Sequence, residues 1–210
     1  MTSASSLPGR WLTVPPERLA RWLAGFAERH GAFDELPGPE QVVLHAADGI
    51  VAECELPFPP LAGDWREHVS TDRRVGVLLV RLGGFAAGVF AGTDLVSSKV
   101  GSRQVHGRSA AGGQSQQRFA RRREGQARVA LAAAADNAVR ILLPEVGRLD
   151  GVVTGGDRGA VTGVLSDRRL VPLRTLLTGR LLDVADPRLT VLQATPDLFR
   201  SVRIRLIDPS

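Results

Sequence analysis

The segment of residues 106–123, HGRSAAGGQSQQRFARRR, carries the residue types and spacing in this chain that best suit chemistry. Its centre is the run Gly112, Gly113 and Gln114. A glutamine amide does not titrate near neutral pH, but it can donate and accept hydrogen bonds and so position a water molecule. The glycines permit a close approach to another surface. We call Gly112, Gly113 and Gln114 the tip. The backbone N–H of Gln114 could stabilise charge on a leaving oxygen, so in a dry RNA cavity the tip could complete an ester-hydrolysing centre.

Other catalytic arrangements find little support. No Gly-x-Ser-x-Gly elbow occurs in the sequence. The single cysteine, Cys54, lies on a predicted strand between acidic residues, where a thiolate is disfavoured. One cysteine and four scattered histidines form no metal-ligand cluster. We therefore expect neither a metal nor a cofactor.

Positive charge is concentrated around the same segment. Residues 103–128 hold seven arginines and one acid, Glu124, which gives this stretch a net charge of +6. The formal net charge of the whole chain is +5, so the rest of the chain sums to −1. Residues 1–68 hold five arginines against ten acids, a balance of −5. A local basic cluster is the electrostatic signature of a phosphate-rich partner. The alternative interpretation is a solvated helix face without a partner.

Composition indicates a folded protein without a membrane segment. The chain has 210 residues, of which 43% are hydrophobic and 23% charged, which is typical of a globular protein with a hydrophobic core. No run of 18 apolar residues occurs, and the N-terminus lacks the basic and apolar regions of a signal peptide. We expect a cytoplasmic protein with no membrane partner that is monomeric when free.

The first third of the chain predicts a small α+β region. Residues 16–30 predict a helix, with Pro16 at its first position and Gly31 as its C-cap. Its buried stripe comprises Leu19, Trp22, Leu23 and Phe26. Residues 41–46 and 50–57 predict a hairpin. The proline-rich stretch that follows predicts a domain boundary, dividing the chain into residues 1–68 and 69–210.

The second part predicts a mixed sheet with flanking helices. Residues 75–83 and 85–92 predict a second hairpin, and residues 94–105 predict a third strand that leads to the tip. A long helix follows over residues 116–143 and ends at Pro144. Its sheet-facing residues are expected to be Val129, Ala132, Ala135, Val139 and Leu142. We expect residues 107–116 to be mobile and the helix to be firm after about Gln117.

The C-terminal part predicts a strand, a glycine turn and a helix over residues 150–165. The turn could cradle a phosphate, but Asp157 as the N-cap of the helix is the favoured interpretation. Residues 201–208 alternate apolar and polar, and we expect them to close the sheet of the second domain. Strands interleaved with helices indicate an α/β or α+β fold.

The tip resembles the middle domain of eukaryotic-type and archaeal-type class I release factors. In that family a Gly-Gly-Gln loop follows a basic His-Gly-Arg stretch and precedes Ser-x-x-Arg-Phe-Ala-Arg. The matching positions here are Gly112, Gly113, Gln114, Ser115, Arg118, Phe119, Ala120 and Arg121. The resemblance spans roughly residues 70–208, since the order of predicted elements also agrees. Residues 109–111 make this loop longer than the release-factor loop.

The equipment for reading stop codons is missing from this chain. Release factors of that type use an Asn-Ile-Lys-Ser loop and a Tyr-Cys pair in a separate domain, whereas this sequence has no tyrosine and a single lysine, Lys99. The chain is therefore more similar to the Vms-like release factor family of ribosome quality control. That resemblance implies a peptidyl-tRNA hydrolase acting on stalled or split large ribosomal subunits.

The resemblance also implies the site. Gly112, Gly113 and Gln114 would be catalytic, with the large ribosomal subunit, its rRNA and peptidyl-tRNA as partners. The cations expected to contact RNA are Arg108, Arg118, Arg121, Arg122 and Arg123. Two alternatives stay open. One is a ribosome- or RNA-binding module without catalysis, and the other is a nuclease or nucleotide enzyme, which would need clustered carboxylates for a metal.

Overall fold

A computed structural model describes residues 9–81, 83–102 and 115–209, and for residues 115–124 it describes the backbone alone. Within these residues the chain forms two compact units. The first comprises residues 9–71 and 196–209, and the second comprises residues 72–195. Each unit contains one five-stranded sheet with helices against it, which confirms the predicted mixed α+β class.

The described strands, in chain order, are β1 (Arg10–Val14), β2 (Phe33–Pro37), β3 (Gln41–Ala46), β4 (Val51–Glu55), β5 (Arg74–Arg81), β6 (Gly84–Ala91), β7 (Asp94–Ser102), β8 (Gly151–Gly156), β9 (Leu177–Leu182) and β10 (Val202–Ile207). The helices are α1 (Pro16–His30), α2 (Trp65–Ser70), α3 (Ser115–Leu142), α4 (Arg158–Leu165), α5 (Leu189–Gln193) and α6 (Pro196–Phe199). Two 3-10 helices cover Leu143–Arg148 and Arg168–Leu176.

The first unit is built on an antiparallel sheet with the strand order β1-β10-β4-β3-β2. Helix α1 has the predicted bounds, and its apolar stripe joins the sheet in one core around the fully buried Phe26. Gly31 ends the helix with φ +81°, a conformation that favours glycine. The predicted hairpin is confirmed as β3 and β4.

Helix α2 extends the first unit beyond the predicted boundary. The Asp64 carboxylate accepts hydrogen bonds from the backbone N–H groups of Arg66 and Glu67, which caps the helix. Trp65 and Val69 then lie in the core of the first unit. The structural division consequently falls between residues 71 and 72, because the apolar side chains of α2 belong to the core of the first unit.

Strand β10 lies in the first sheet, between β1 and β4. The prediction that residues 201–208 close the sheet of the second domain is wrong, and residues 196–209 fall outside the predicted 69–210 domain. An alternating pattern indicates a half-buried strand without saying which sheet receives it. Val202 and Ile204 are fully buried there, in one core with α1.

The second unit is built on a mixed sheet with the strand order β7-β6-β5-β8-β9. The predicted hairpin is confirmed as the antiparallel pair β5 and β6, and β7 adds the predicted third strand. Strands β8 and β9 run parallel to β5. Helix α3 agrees with the predicted long helix to within one residue at each end, and Pro144 falls in the 3-10 helix that follows it.

The face by which α3 packs agrees with the predicted one only in its later part. Ala135 and Leu142 are buried as predicted and Val139 packs against the core, whereas Val129 and Ala132 are exposed. The other buried residues among the described side chains of the helix are Ala134 and Ala138. Every residue from 129 to 135 is Val, Ala or Leu. A helix that is apolar all round leaves its buried face undetermined, so tertiary packing decides it.

Candidate functional site: a strand and a helix that flank the tip

The predicted tip lies outside the described residues. Gly112, Gly113 and Gln114 belong to this gap, as do Arg108 and most of the segment expected to be mobile. The four other predicted RNA-contacting arginines lie within α3, of which the backbone is described there: Arg118, Arg121, Arg122 and Arg123. The structure describes the two elements that flank this gap, β7 before it and α3 after it.

Strand β7 is held close to its last residue. Gly101 pairs with Phe85 across the strands, and Gly84 pairs with Ser102. A Cβ atom on Gly101 would overlap the ring of Phe85, which lies over this position and is itself buried. The close approach of the Phe85 ring to the backbone therefore requires glycine at residue 101. This contact fixes the end of β7, the last described strand before the tip.

Helix α3 is held at its C-terminal half. Ala134, Ala138 and Leu142 are fully buried in one hydrophobic core with the sheet, and Ala135 is almost so. Closer to the tip, the side chain of Leu131 lies against Gly163 of α4, where an added Cβ atom would stand 3.0 Å from its Cδ1 atom. Small residues on both helices therefore permit α3 and α4 to approach closely.

An exposed ion-pair cluster ties α3 to the 3-10 helix over Arg168–Leu176. The Arg169 guanidinium donates hydrogen bonds to both oxygens of Asp167 and to Asp136 of α3, at 2.7 to 3.0 Å. The hydrogen bond from Arg169 lowers the pKa of Asp167 to about 2. Because these side chains face solvent, the cluster fixes geometry more than it adds stability.

The turn from β8 into α4 is a capped helix start. The Asp157 carboxylate accepts a hydrogen bond from the backbone N–H of Ala160 at 2.7 Å, which confirms the N-cap prediction. Gly156 has φ +98°, and a Cβ atom there would overlap the carbonyl of Val80. The turn therefore has a structural reason for its glycine, and a carboxylate already occupies the position that a phosphate would take.

Charge is divided unequally between the units. Residues 1–71 and 196–210 hold eight basic and twelve acidic residues, a net charge of −4. Residues 72–195 hold 19 basic and ten acidic residues, a net charge of +9. The first turn of α3 contains no acid, although acids are the residues that stabilise a helix N-terminus. The second unit is therefore the one suited to a polyanion.

The remaining candidate groups are structural. Burial raises the pKa of the Cys54 thiol to about 12, which confirms that its thiolate is disfavoured. His68 is buried, with its two ring nitrogens bonded to the carbonyl of Pro57 and the N–H of Ala62. Among the described residues, no group of three or more histidine, cysteine, aspartate or glutamate side chains could hold a metal ion. No described helix is long and apolar enough to span a membrane.

Sequence reasoning missed the residues that support the tip. Gly101 falls in the strand predicted over residues 94–105 and Gly163 in the helix predicted within residues 150–165, and the sequence does not indicate what either glycine contacts. A glycine inside a regular element is itself a signal of a close approach, but it does not say which side chain approaches. Arg169 carried no signal at all, because its partner Asp136 lies 33 residues away in the sequence.

A comparison with protein families identifies the family of this chain. A family model described as Actinobacteria/chloroflexi VLRF1 release factor matches residues 73–205, well over half of the chain. The match takes in almost all of the second unit and places the protein in the release-factor class. The chain belongs to the Actinobacteria/chloroflexi VLRF1 release factor family. No match is found among curated protein sequences.

Three solved structures show weaker similarity. The archaeal translation termination factor aRF1 is 17% identical, with 70% of this chain and 46% of that chain covered and a TM-score of 0.40. A structure described as an archaeal protein is 19% identical, with 73% and 51% covered and a TM-score of 0.40. The Vms1 mitochondrial localization core is 9% identical, with 89% and 80% covered and a TM-score of 0.44. The chain thus spans about half the length of the two archaeal proteins.

Proposed function

We propose that this protein is a peptidyl-tRNA hydrolase of ribosome rescue, which releases the nascent chain from stalled or split large ribosomal subunits without reading a stop codon. The observation that carries the proposal is the pair of elements that flank the tip motif in the chain. A Gly-Gly-Gln run lies between a strand fixed at Gly101 and a 28-residue helix anchored at its far end. A tip held in this way can enter a cavity in a partner while its base stays folded.

The chemistry is ester hydrolysis. Water attacks the carbonyl carbon that joins the peptide to the tRNA, and the bond from that carbon to the tRNA 3′ oxygen breaks. The products are a peptide with a free carboxylate and a tRNA with a free hydroxyl group. In this proposal the Gln114 side chain positions the water and its backbone N–H stabilises the departing oxygen, while Gly112 and Gly113 allow the close approach.

The charge distribution supports an RNA partner for the second unit. Its net charge of +9 suits rRNA and the tRNA acceptor stem. Arg108 before the tip and Arg118, Arg121, Arg122 and Arg123 in α3 are the residues proposed to contact phosphates. We also propose that the protein acts in the cytoplasm, without a metal or cofactor, and is monomeric until it meets the ribosome.

The decisive experiment is release of labelled peptide from peptidyl-tRNA on purified large subunits. Gln114→Ala and Gly113→Ala are expected to abolish release, while subunit binding stays unchanged. Gln117→Ala is the matched control, since it removes the same amide three residues further on, within α3. Full release by Gln114→Ala would overturn the mechanism. Binding without release by the wild-type protein would favour the non-catalytic module, and metal-dependent activity would favour the nuclease.

A further inference from the structure

The packing of helix α3 changes along residues 125–142, the part of it whose side chains the structure describes. The fully buried residues begin at Ala134, and Leu131 packs against the same core and against Gly163. Residues 128 and 129 are exposed, and residues 125–127 and 130 are half-buried. The helix continues as regular backbone to Ser115, the residue after Gln114. Residues 125–130 are therefore packed less tightly than residues 134–142.

A glycine, Gly125, lies in this part of the helix. A Cβ atom at this position would meet no described atom within 4 Å. The other glycines inside the described α-helices differ: an added Cβ atom would lie 3.2 Å from the Arg29 side chain at Gly25, 3.3 Å from the Asp157 carboxylate at Gly159 and 3.0 Å from Leu131 at Gly163. No close approach within the described residues therefore explains Gly125. In a helix interior glycine favours opening about fivefold relative to alanine.

We propose that Gly125 is a hinge that lets the tip-bearing end of α3 bend relative to its anchored end. Gly125 lies ten residues after Ser115, a lever of about 15 Å at 1.5 Å per residue. A bend of about 20°, of the size seen at glycine kinks, would move Ser115 by about 5 Å. Gly125 is thus a positioning residue. Its effect on catalysis rests on the proposed peptide release, whereas bending of the helix does not depend on that proposal.

The hinge is tested first in the free full-length protein by hydrogen–deuterium exchange. Gly125→Ala is expected to slow exchange of the amides of residues 126–129 about fivefold, because their hydrogen bonds to the carbonyls of residues 122–125 span the bend and alanine disfavours opening of the helix there. The amides of residues 119–124 bond to carbonyls on the tip side of the hinge and should change less. Exchange of residues 134–142 should not change.

Two further variants make the test specific. Gly147→Ala is the matched control, because a Cβ atom there also meets nothing within 4 Å but the residue lies in the following 3-10 helix. It should leave exchange of residues 126–129 unaffected. The double variant Gly125→Ala/Ala127→Gly moves the flexible point by two residues and should restore wild-type exchange. Unchanged exchange in Gly125→Ala would overturn the hinge, whatever the ribosome assay shows.

The consequence for function is tested by peptide release at saturating large subunits. Gly125→Ala is expected to lower the release rate by up to about fivefold with unchanged subunit affinity, and Ala127→Gly in the same chain should restore it. Loss of release that Ala127→Gly does not restore would show that residue 125 is needed for contact with RNA, and would overturn the positioning role. A wild-type protein without any release would overturn the proposed function and leave the exchange result standing.

Discussion

The two units share an architecture but carry net charges of opposite sign. Each places helices against a five-stranded sheet, yet the first carries −4 and the second +9. In the first unit, arginines on β10 are paired across the sheet, with Arg203 3.1 Å from Glu55 and Arg205 2.7 Å from Glu53. In the second unit the cations gather beside the tip, where the sequence supplies one acid for seven arginines.

This difference in net charge shows that two units with the same architecture can differ in what they bind. Paired arginines belong to the sheet surface and leave little net field, whereas an unbalanced cluster attracts a polyanion. A shared α+β class therefore does not make the two units functionally equivalent. We expect RNA affinity, salt dependence and peptide release to follow the second unit, and the following predictions either break that division or sharpen it.

The largest expected effect is on the free energy of unfolding of the first unit. Ile204→Ala removes a fully buried side chain from its core, which costs about 2–5 kcal/mol. Leu78→Ala should cost a similar amount in the core of the second unit. Chemical denaturation followed by hydrogen exchange resolved along the chain measures each effect separately. Equal loss of protection in both units from either variant would show one cooperative unit and contradict the division.

A smaller loss of stability is expected at the strand that leads to the tip. Gly101→Ala would force the Phe85 ring away from β7, and overpacking of this kind costs about 1–3 kcal/mol. Peptide release should fall as well, because the base of the tip shifts. Ser102→Ala, at the next and exposed position, is the control and should change neither. A melting temperature of Gly101→Ala equal to that of the wild type would show that the ring moves freely.

The charge difference itself is tested by salt titration of affinity for large subunits. Alanine at Arg121 and Arg122 together is expected to weaken binding and to reduce the slope of log K against log salt by about 2, one for each lost phosphate contact. The matched control is alanine at Arg18 and Arg21, two exposed arginines of helix α1 in the acidic unit. Equal slopes for both double variants would mean that the cluster is only a solvated helix face.

The smallest effect is expected at Cys54. Because burial raises the pKa of its thiol from 9.0 to about 12, the folded protein keeps the neutral form at pH 7–9 and should react slowly with alkylating reagents. The unfolded chain loses this proton at lower pH, so the free energy of unfolding is unaffected by this group near pH 7 and should fall as the pH rises from about 9 to 12. Labelling at pH 8 that is as fast in the folded as in denatured protein would contradict this burial.

Local features of the fold could be predicted from the sequence, and distant ones could not. The bounds of α1 follow from Pro16, its apolar stripe and Gly31, and both hairpins follow from apolar strands separated by turn residues. The sheet that receives β10 depends on contacts across some 150 residues, which no local pattern encodes. The buried face of α3 could be predicted only in its later part, since alanine on several sides of the earlier part suits more than one packing.

The candidate site divides in the same way. The tip motif and its arginines can be read directly, because chemistry depends on residue types at short spacing. The contacts of the two elements that flank the tip could be identified only in the structure. Phe85 over Gly101 and Leu131 against Gly163 join residues 16 and 32 positions apart. Their signature in the sequence is no more than a glycine inside a strand or a helix.

The position of β10 has a consequence for synthesis. Strand β10 pairs with β1 on one side and β4 on the other, so the first sheet cannot close until residues 202–207 have left the ribosome. The second unit is contiguous in sequence and lies entirely before them. During translation the second unit can therefore fold before β1 and β4 have the strand that pairs with both, and this high contact order slows folding of the first unit. We expect the synthesis of β10 to set the time at which the first sheet can close.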